Sequence, residues 1–390
     1  MGSITPPSAS LPESTSPSLI LTHPTPSEQQ HTWSLTHPKW GPALTKEAYL
    51  ARESYLTTVP LAKDGGISHW ILTTTTTTSP SPSQSSSENR PILSSCETLR
   101  KPCITALPSG DLTKGIAYGI GSVFTDPQFR GRGYADRMLR ELGQILSSGD
   151  ATCSVLYSDI GREFYAKRGW MAFPSGHVAF PPLEKMDGEG GNDKVRRLVG
   201  YHELAELCAV DEGLVRGQVI KRARETGKKC VALMPGLEQM LWHLMREDYM
   251  TREIFGRTPV TRGAVVGGTG DKRVWAVWTR GYYGGLQSVE GNTLHILRFV
   301  VEDEEGMDEE ELVGAFRAII KVAQAEAVEW RSQEVQMWNP SPLLRRVIGR
   351  CGIEHSFVER DTESIASLMW YGEGRVEDVE WVANEKYGWC

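Results

Sequence analysis

The stretch VFTDPQFRGRGYADRMLREL, residues 123–142, sets two arginines and two glycines between a strand-like run and an amphipathic helix. Clustered arginines repel one another unless an anion lies between them, and glycine weakens helices. A helix that starts near Gly131 points free amide N–H groups outward and carries a partial positive charge, which suits a phosphate. The glycines let that phosphate approach the backbone. This turn therefore predicts a pyrophosphate site.

The segments around the turn predict a mixed sheet covered by helices. A strand-like run, KGIAYGIGSVFT, begins at Lys114 and precedes the turn, and the helix after it carries an apolar stripe. Next come a buried strand (TCSVLYS), a short helix stopped by Gly169 (DIGREFYAKRG) and another strand (WMAF). This order is typical of an α/β domain with a three-layer mixed sheet.

Other phosphate-binding motifs are excluded by the residues themselves. The chain has no G-x-x-x-x-G-K-[ST] run, which excludes a P-loop nucleotidase. GIGSVF, which begins at Gly119, lacks the third glycine of a dinucleotide fingerprint. The alternative to a pyrophosphate site is then a basic turn that is simply exposed to solvent.

Two segments of low complexity divide the chain into domains. Residues 1–17 are rich in Pro, Ser and Thr and predict a disordered tail, and residues 73–90 predict a long surface loop within the first domain. We expect the first domain to span residues 18–200, with two helices ahead of the loop. From residue 201 to 390 the strand and helix patterns repeat that order, which predicts a diverged second domain.

The second domain lacks a phosphate turn. Before its corresponding helix stands VEDEEGMDEEEL, residues 301–312, whose carboxylates would repel a pyrophosphate. Its tryptophans are typical of core residues; they include Trp275, Trp278, Trp338 and Trp370. The closing NEKYGWC either returns toward the active site or anchors the tail.

Composition limits the classes of partner. The formal net charge of −7 disfavours nucleic acid and mildly favours cationic substrates. Seven cysteines with no C-x-x-C pair argue against a disulfide framework or a structural metal site. No apolar run is long enough to span a bilayer, and the first residues lack a signal-peptide pattern, so we expect a cytoplasmic protein with no membrane partner. Oligomeric state cannot be read from the sequence.

The turn resembles a signature of the GCN5-related N-acetyltransferase (GNAT) superfamily, R/Q-x-x-G-x-G/A, which holds the pyrophosphate of acetyl-CoA. The matching residues are Arg130, Gly131, Arg132, Gly133, Tyr134 and Ala135. Tyr165 to Trp170 is similar to the superfamily's second signature, Y-x-x-x-G-F, with Trp in place of Phe. SCETLRK, LYSDIGREFY and NEKYGW further resemble a fungal branch of lysine N6-acetyltransferase-like proteins. The resemblance implies a GNAT domain followed by a diverged GNAT-like domain.

The resemblance also implies a reaction and its residues. A deprotonated primary amine would attack acetyl-CoA directly in a ternary complex, without a metal, and Tyr165 would protonate the departing thiolate or simply pack in the core. The backbone of Val123, Phe124 and Thr125 would lie along the cofactor. Ser158 stands where the superfamily often has a cofactor-binding Asn, and it could instead cap the short helix.

The general base and the acceptor stay open at this stage. Glu97, in the strand-like SCETLRK, is the first candidate base, although a purely structural role is equally compatible with its position. Tyr118 and Ser122 alternate toward one face of their strand and would line the amine site. The resemblance makes the ε-amine of free L-lysine the best single acceptor. A polyamine, another amino acid, an amine toxin, a protein lysine, or a CoA-binding role without turnover are the alternatives.

Overall fold

The computed structural model describes residues 11–75, 90–183, 195–268 and 272–389. Residues 1–10 of the predicted tail and 76–89 of the predicted loop lie outside these ranges. Thr73 and Thr74, which we placed in the loop, instead end a strand that spans Ile67–Thr74.

Helices and strands are numbered in chain order. The helices are α1 (Pro26–Trp40), α2 (Lys46–Leu56), α3 (Tyr134–Ser147), α4 (Glu163–Ala166), α5 (Leu204–Thr226), α6 (Leu237–Phe255), α7 (Glu309–Glu329) and α8 (Pro342–Arg350). The strands are β1 (Leu19–Thr22), β2 (Ile67–Thr74), β3 (Ser94–Ala106), β4 (Leu112–Phe124), β5 (Ala151–Ser158), β6 (Met171–Ala172), β7 (Gly176–Phe180), β8 (Val195–Val199), β9 (Lys229–Leu233), β10 (Thr261–Val266), β11 (Val274–Tyr282), β12 (Asn292–Val301), β13 (Glu334–Trp338), β14 (Ser356–Glu359), β15 (Ile365–Trp370) and β16 (Val379–Trp381).

The first sheet has the predicted order of strands and helices around the glycine turn. Its strands lie in the order β1-β2-β3-β4-β5-β15-β6, and β9 pairs with β3 while β16 pairs with β9. Helix α3 packs on this sheet through an apolar stripe formed by Tyr134, Met138 and Leu142, all buried. The predicted mixed α/β architecture is therefore confirmed.

The strands β4 and β5 separate before they end. They pair in parallel from Ile116 to Ile120, where Ile120 faces Leu156. Beyond Ile120, β4 continues to Phe124 with no β5 partner in the described residues. Ser122 adopts a positive φ of 52° at an irregularity in the β3–β4 register, which is the geometry of a β-bulge. A groove opens between the two diverging strands.

The second sheet does not begin at the predicted boundary of residue 200. Its strands lie in the order β14-β7-β13-β12-β11-β10-β8, so β7 and β8 belong to it although they precede that residue. Conversely, β9, β15 and β16 follow residue 200 and pair in the first sheet. Apolar alternation within a strand does not reveal which sheet the strand joins. The division into 18–200 and 201–390 therefore does not separate the two sheets.

Both halves have dense apolar cores. Trp275, Trp278 and Trp338 are buried as predicted, whereas Trp370 is half-buried. Six of the seven cysteines lie in the described ranges, and all six are free and buried. In the same ranges, no helix is both long and apolar enough to cross a membrane.

Candidate active site

The glycine turn leads directly into α3. Gly131 and Gly133 have positive φ angles of 75° and 81°, a conformation that glycine adopts without strain. Gly133 precedes the first turn of α3, and no side chain in the described residues caps that turn. A Cβ on Gly131 would meet nothing within 4 Å. The turn is therefore open at Gly131, as a phosphate site requires, whereas Ser14 lies beside Gly133 at the start of α3.

The turn, the bare edge of β4 and α4 enclose a groove of about 740 Å³, the size of a small-molecule site. Most of the predicted cofactor residues line it: Val123, Phe124, Thr125, Arg130, Gly131, Gly133, Tyr134 and Ala135. Arg132 does not line the groove and is exposed beside it. Ser158 is also outside the lining, because its hydroxyl donates to the Gly161 carbonyl (2.7 Å) and accepts from the Ile160 amide (3.2 Å). Ser158 thus closes the loop before α4 and does not cap that helix, whose N-cap is Arg162.

The described end of the predicted tail is ordered against α3. The Tyr134 hydroxyl donates to the Pro12 carbonyl (2.6 Å), and Arg137 Nη1 donates to the Ser14 carbonyl (3.2 Å). A Cβ on Gly133 would come within 2.8 Å of Ser14 Oγ. The prediction of disorder is therefore wrong for residues 11–17, because polar composition does not exclude local hydrogen bonds to a neighbouring helix.

Tyr165 lies on α4 and lines the groove, although only 7 % of it is exposed. Its ring packs edge-on against Phe164. Burial raises the pKa of the Tyr165 phenol above its ordinary value. Within the described residues its hydroxyl has no hydrogen-bond partner, so a protonated phenol is available to the groove.

Glu97 lies on β3 beside the β-bulge of β4. Ser122 donates its hydroxyl to Glu97 Oε1 (2.8 Å), and His69 Nε2 lies 3.6 Å from Glu97 Oε2. Burial and the nearby charge of Glu53 raise the pKa of Glu97 to about 7. Burial lowers the pKa of His69 to about 4, so the imidazole is neutral at pH 7. Glu97 is therefore a carboxyl group that can exchange a proton near neutral pH.

A small cavity connects Glu97 with the groove; we call it the acceptor cavity. It encloses about 70 Å³, and its lining includes Glu53, His69, Glu97, Trp242 and Arg246. Its lining shares Trp40, Ser122 and Trp389 with that of the groove. Tyr118 is absent from this lining because the bulge at Ser122 breaks the alternation along β4, and the Tyr118 hydroxyl donates instead to Asp150 (2.8 Å).

Two terminal regions of sequence supply residues that motif analysis did not assign to the site. Helices α1 and α2 place Trp40 and Glu53 beside Glu97, and α1 begins with a capping box between Thr25 and Glu28. These helices are predictable, but their contact with the site is long-range and leaves no local signal.

The C-terminal segment also reaches the site. His243 and Gln239 on α6 contact the Tyr387 carbonyl at 2.9 and 2.6 Å, and Lys101 Nζ donates to the Gly388 carbonyl (2.8 Å). These contacts place Trp389 in the lining of both the groove and the acceptor cavity. The structure supports both interpretations of NEKYGWC, because Tyr387 anchors the segment in the core and Trp389 lines the groove.

Among the His, Cys, Asp and Glu side chains of the described ranges, no group of three or more could hold a metal ion. Each side chain with a proposed chemical role belongs instead to the groove or the acceptor cavity.

Comparison with known proteins agrees with this geometry. Residues 177–390 match the family described as the LYC1 GNAT-like C-terminal domain, and residues 111–173 match the acetyltransferase (GNAT) domain. A lysine acetyltransferase of Yarrowia lipolytica is 23 % identical over 303 residues, which cover 66 % of this chain and 71 % of that protein. An uncharacterized protein of Saccharomyces cerevisiae is 24 % identical over 324 residues, 76 % of each chain.

A solved structure supports the fold. A probable N-acyltransferase from Enterococcus faecalis aligns with a TM-score of 0.50 at 11 % identity, covering 90 % of this chain and 73 % of that one. The first family match alone spans more than half of the 390 residues. The two matches also cover the phosphate turn, Tyr165 and most of the second sheet. The chain belongs to the LYC1 GNAT-like family and is a GNAT-type acetyltransferase.

Proposed function

We propose that this enzyme transfers the acetyl group of acetyl-CoA to the ε-amine of free L-lysine by direct attack. The observation that carries the proposal is the junction of two cavities at Ser122: the groove with the phosphate turn, and the acceptor cavity with Glu97. A thioester at the end of the groove and an amine at Glu97 would meet there. Bringing two reactants together removes much of the entropic barrier and requires no acyl-enzyme.

The groove fits an acyl-CoA. Arg130 and the first amides of α3 would bind the pyrophosphate, which the open space at Gly131 admits. The end of β4 has no β5 partner in the described residues, so the amides of residues 123–125 would face the pantetheine arm and the thioester oxygen. The carbonyls of Phe124 and Thr125 already accept hydrogen bonds from the side chains of Ser94 and Arg130. When bound, acetyl-CoA supplies an electrophilic carbonyl and a thiolate leaving group.

Two side chains would move the protons. A lysine ε-amine has a pKa of about 10.4, so it enters as an ammonium that must lose a proton before it attacks. Glu97 accepts that proton and releases it to solvent, and the nitrogen forms a bond to the carbonyl carbon. Glu97 then takes the second proton from the nitrogen as the carbon–sulfur bond breaks. Tyr165 donates its phenolic proton to the departing sulfur and recovers a proton from solvent. The raised pKa of Glu97 matches the first role, because a base with a pKa near 7 binds a proton more strongly than an ordinary carboxylate and is still about half ionised at pH 7.

The acceptor is proposed to be small. The acceptor cavity is enclosed by α2, α6 and the C-terminal segment, through residues such as Glu53, Trp242 and Trp389. This enclosure favours a free amine over a lysine on a folded protein. The similarity to a protein named lysine acetyltransferase adds support for lysine.

An acceptor panel tests the proposal. Thiol release from acetyl-CoA is measured with L-lysine, L-ornithine, spermidine, a lysine-bearing peptide and no amine. We expect selective release with L-lysine. Preference for spermidine or the peptide would transfer the proposal to that class of acceptor, and release equal to the no-amine blank would refute acceptor turnover.

Tyr165→Phe is expected to lower kcat roughly 10- to 100-fold while acetyl-CoA affinity stays within about twofold. The loss lies at the lower end for a general acid because a thiol with a pKa near 8.5 is a good leaving group even when water protonates it. Tyr118→Phe, on the exposed side of β4, is the matched control and should retain activity. Full activity of Tyr165→Phe would reduce Tyr165 to a packing residue.

A further inference from the structure

Behind the acceptor cavity lies a second cavity, which we call the rear cavity. It encloses about 620 Å³, and its lining holds both cations (Lys39, Arg246, Arg280, Arg360 and Lys386) and acids (Asp159, Glu359, Asp361 and Glu363). Trp40, Arg246, Tyr283 and Trp389 line both cavities, so the two adjoin. Where the cavities adjoin, the combined space presents the carboxyl group of Glu97 and the guanidinium of Arg246. A ligand that spans it would carry a cation at one end and an anion at the other.

Arg246 is the arginine that lines both cavities. It projects from α6, is half-buried, and has no hydrogen-bond or ion-pair partner within the described residues. Its guanidinium lies 5.8 Å from the centre of the Trp389 ring. By contrast, Arg52 pairs with Glu53, and Arg280 pairs with Glu247 and Glu326.

The position of Arg246 is held by its neighbours on α6. The next residue, Glu247, is fully buried and accepts from Arg262 (2.8 Å) and Arg280 (2.7 Å), which fixes the helix to the second sheet. Burial and the like charge of Arg52 lower the pKa of Arg246. A guanidinium held in a partly desolvated site without a counter-ion is costly, and an arriving carboxylate would remove that cost.

We propose that Arg246 binds the carboxylate of the acceptor and thereby makes the enzyme select amino acids over plain amines. This inference rests on the proposed function, in which Glu97 receives the amine at the other end of the same space. Arg360 is a poorer candidate because it does not line the acceptor cavity, its Nη1 already donates to the Gly176 carbonyl (3.0 Å), and its guanidinium stacks on Trp338 at 3.9 Å. Lys386 is already engaged, lying 4.2 Å from the centres of both the Trp338 and the Trp389 rings.

The test compares L-lysine with L-lysinamide, which keeps both amines and replaces the carboxylate with a neutral amide. We expect the wild-type enzyme to prefer L-lysine by at least about tenfold in kcat/KM, the size of one charge-assisted interaction. Arg246→Gln should raise the KM for L-lysine about 10- to 100-fold and leave lysinamide within about threefold. Arg246→Lys should recover part of the preference because it restores the charge.

Arg252→Gln is the matched control, since it makes the same change on the exposed side of the same helix. It should leave both substrates unchanged. The inference is overturned if the wild type uses both substrates equally, if Arg246→Gln lowers both equally, or if the control has the same effect.

A binding measurement separates this inference from the proposed function. Calorimetry with N6-acetyl-L-lysine, the expected product, needs no turnover and should show binding to the wild type that Arg246→Gln weakens at least about tenfold. Acetyl-CoA affinity and melting temperature report whether each variant is folded, and Arg246→Lys replaces the glutamine variant if that one unfolds. Turnover of lysine and lysinamide alike would refute only the role of Arg246. If the wild type shows no turnover of either substrate and no binding of the product, both proposals are refuted.

Discussion

Glu97→Gln is expected to lower kcat with L-lysine about 1,000-fold, within the range for loss of a general base. Glutamine has nearly the same shape and can still accept the hydrogen bond from Ser122, but it cannot take a proton from the ammonium. Acetyl-CoA affinity should stay within about twofold, because Glu97 does not line the groove. Single-turnover kinetics and calorimetry measure the two quantities separately.

The pH profile gives the same prediction a second readout. Because the pKa of Glu97 is raised to about 7, the carboxyl is protonated below that pH and cannot act as a base. The kcat/KM of the wild type should therefore rise with pH through about 7 and then level off. The kcat/KM of Glu97→Gln should not show this rise through pH 7. A wild-type profile that rises only toward pH 10, or a variant with near-normal kcat, would contradict the assignment.

Gly131→Glu is expected to weaken acetyl-CoA binding at least about 100-fold. The side chain would enter the open space beside the α3 amides and would place a carboxylate where the pyrophosphate is proposed to lie. The positive φ of 75° adds backbone strain of about 1–2 kcal/mol, which a control must match.

Gly352→Glu provides that control. Gly352 has a φ of 68°, and a Cβ there would also meet nothing within 4 Å, but it lies outside the groove and both cavities. The control should lose similar stability and keep its affinity for acetyl-CoA. If Gly131→Glu and Gly352→Glu bind acetyl-CoA with equal affinity, the pyrophosphate binds at a different site.

Local sequence signals predict the first domain's central elements well. The glycines of the turn, the stripe on α3 and the run of strands after it are each short-range patterns, and the structure places Tyr165 and the turn in one groove. The role of Glu97 as a base has no such local signal. Glu97 is a candidate only because a strand next to β4 can direct a carboxylate toward the amine. Its pairing with Ser122 depends on a β-bulge that alternation alone does not reveal.

Features that depend on distant parts of the chain were missed. The strands β7 and β15 have ordinary alternating patterns, yet each joins the sheet opposite to the one that their chain position predicts. Arg246 belongs to a helix that the sequence predicts, but its lack of a partner emerges only when α2, α6 and the C-terminal segment meet. Such contacts are set by tertiary packing, which leaves no local spacing to detect.

The central claim is that an amine held at Glu97 attacks acetyl-CoA at the junction with the groove. The most direct measurement is to incubate the purified enzyme with acetyl-CoA and L-lysine and to identify the product by mass spectrometry and NMR. We predict N6-acetyl-L-lysine formed in a 1:1 ratio with free CoA by the wild type, and almost none by Glu97→Gln. Acetylation at the α-amine, an acetylated enzyme with no free product, or equal product from the variant would contradict the account.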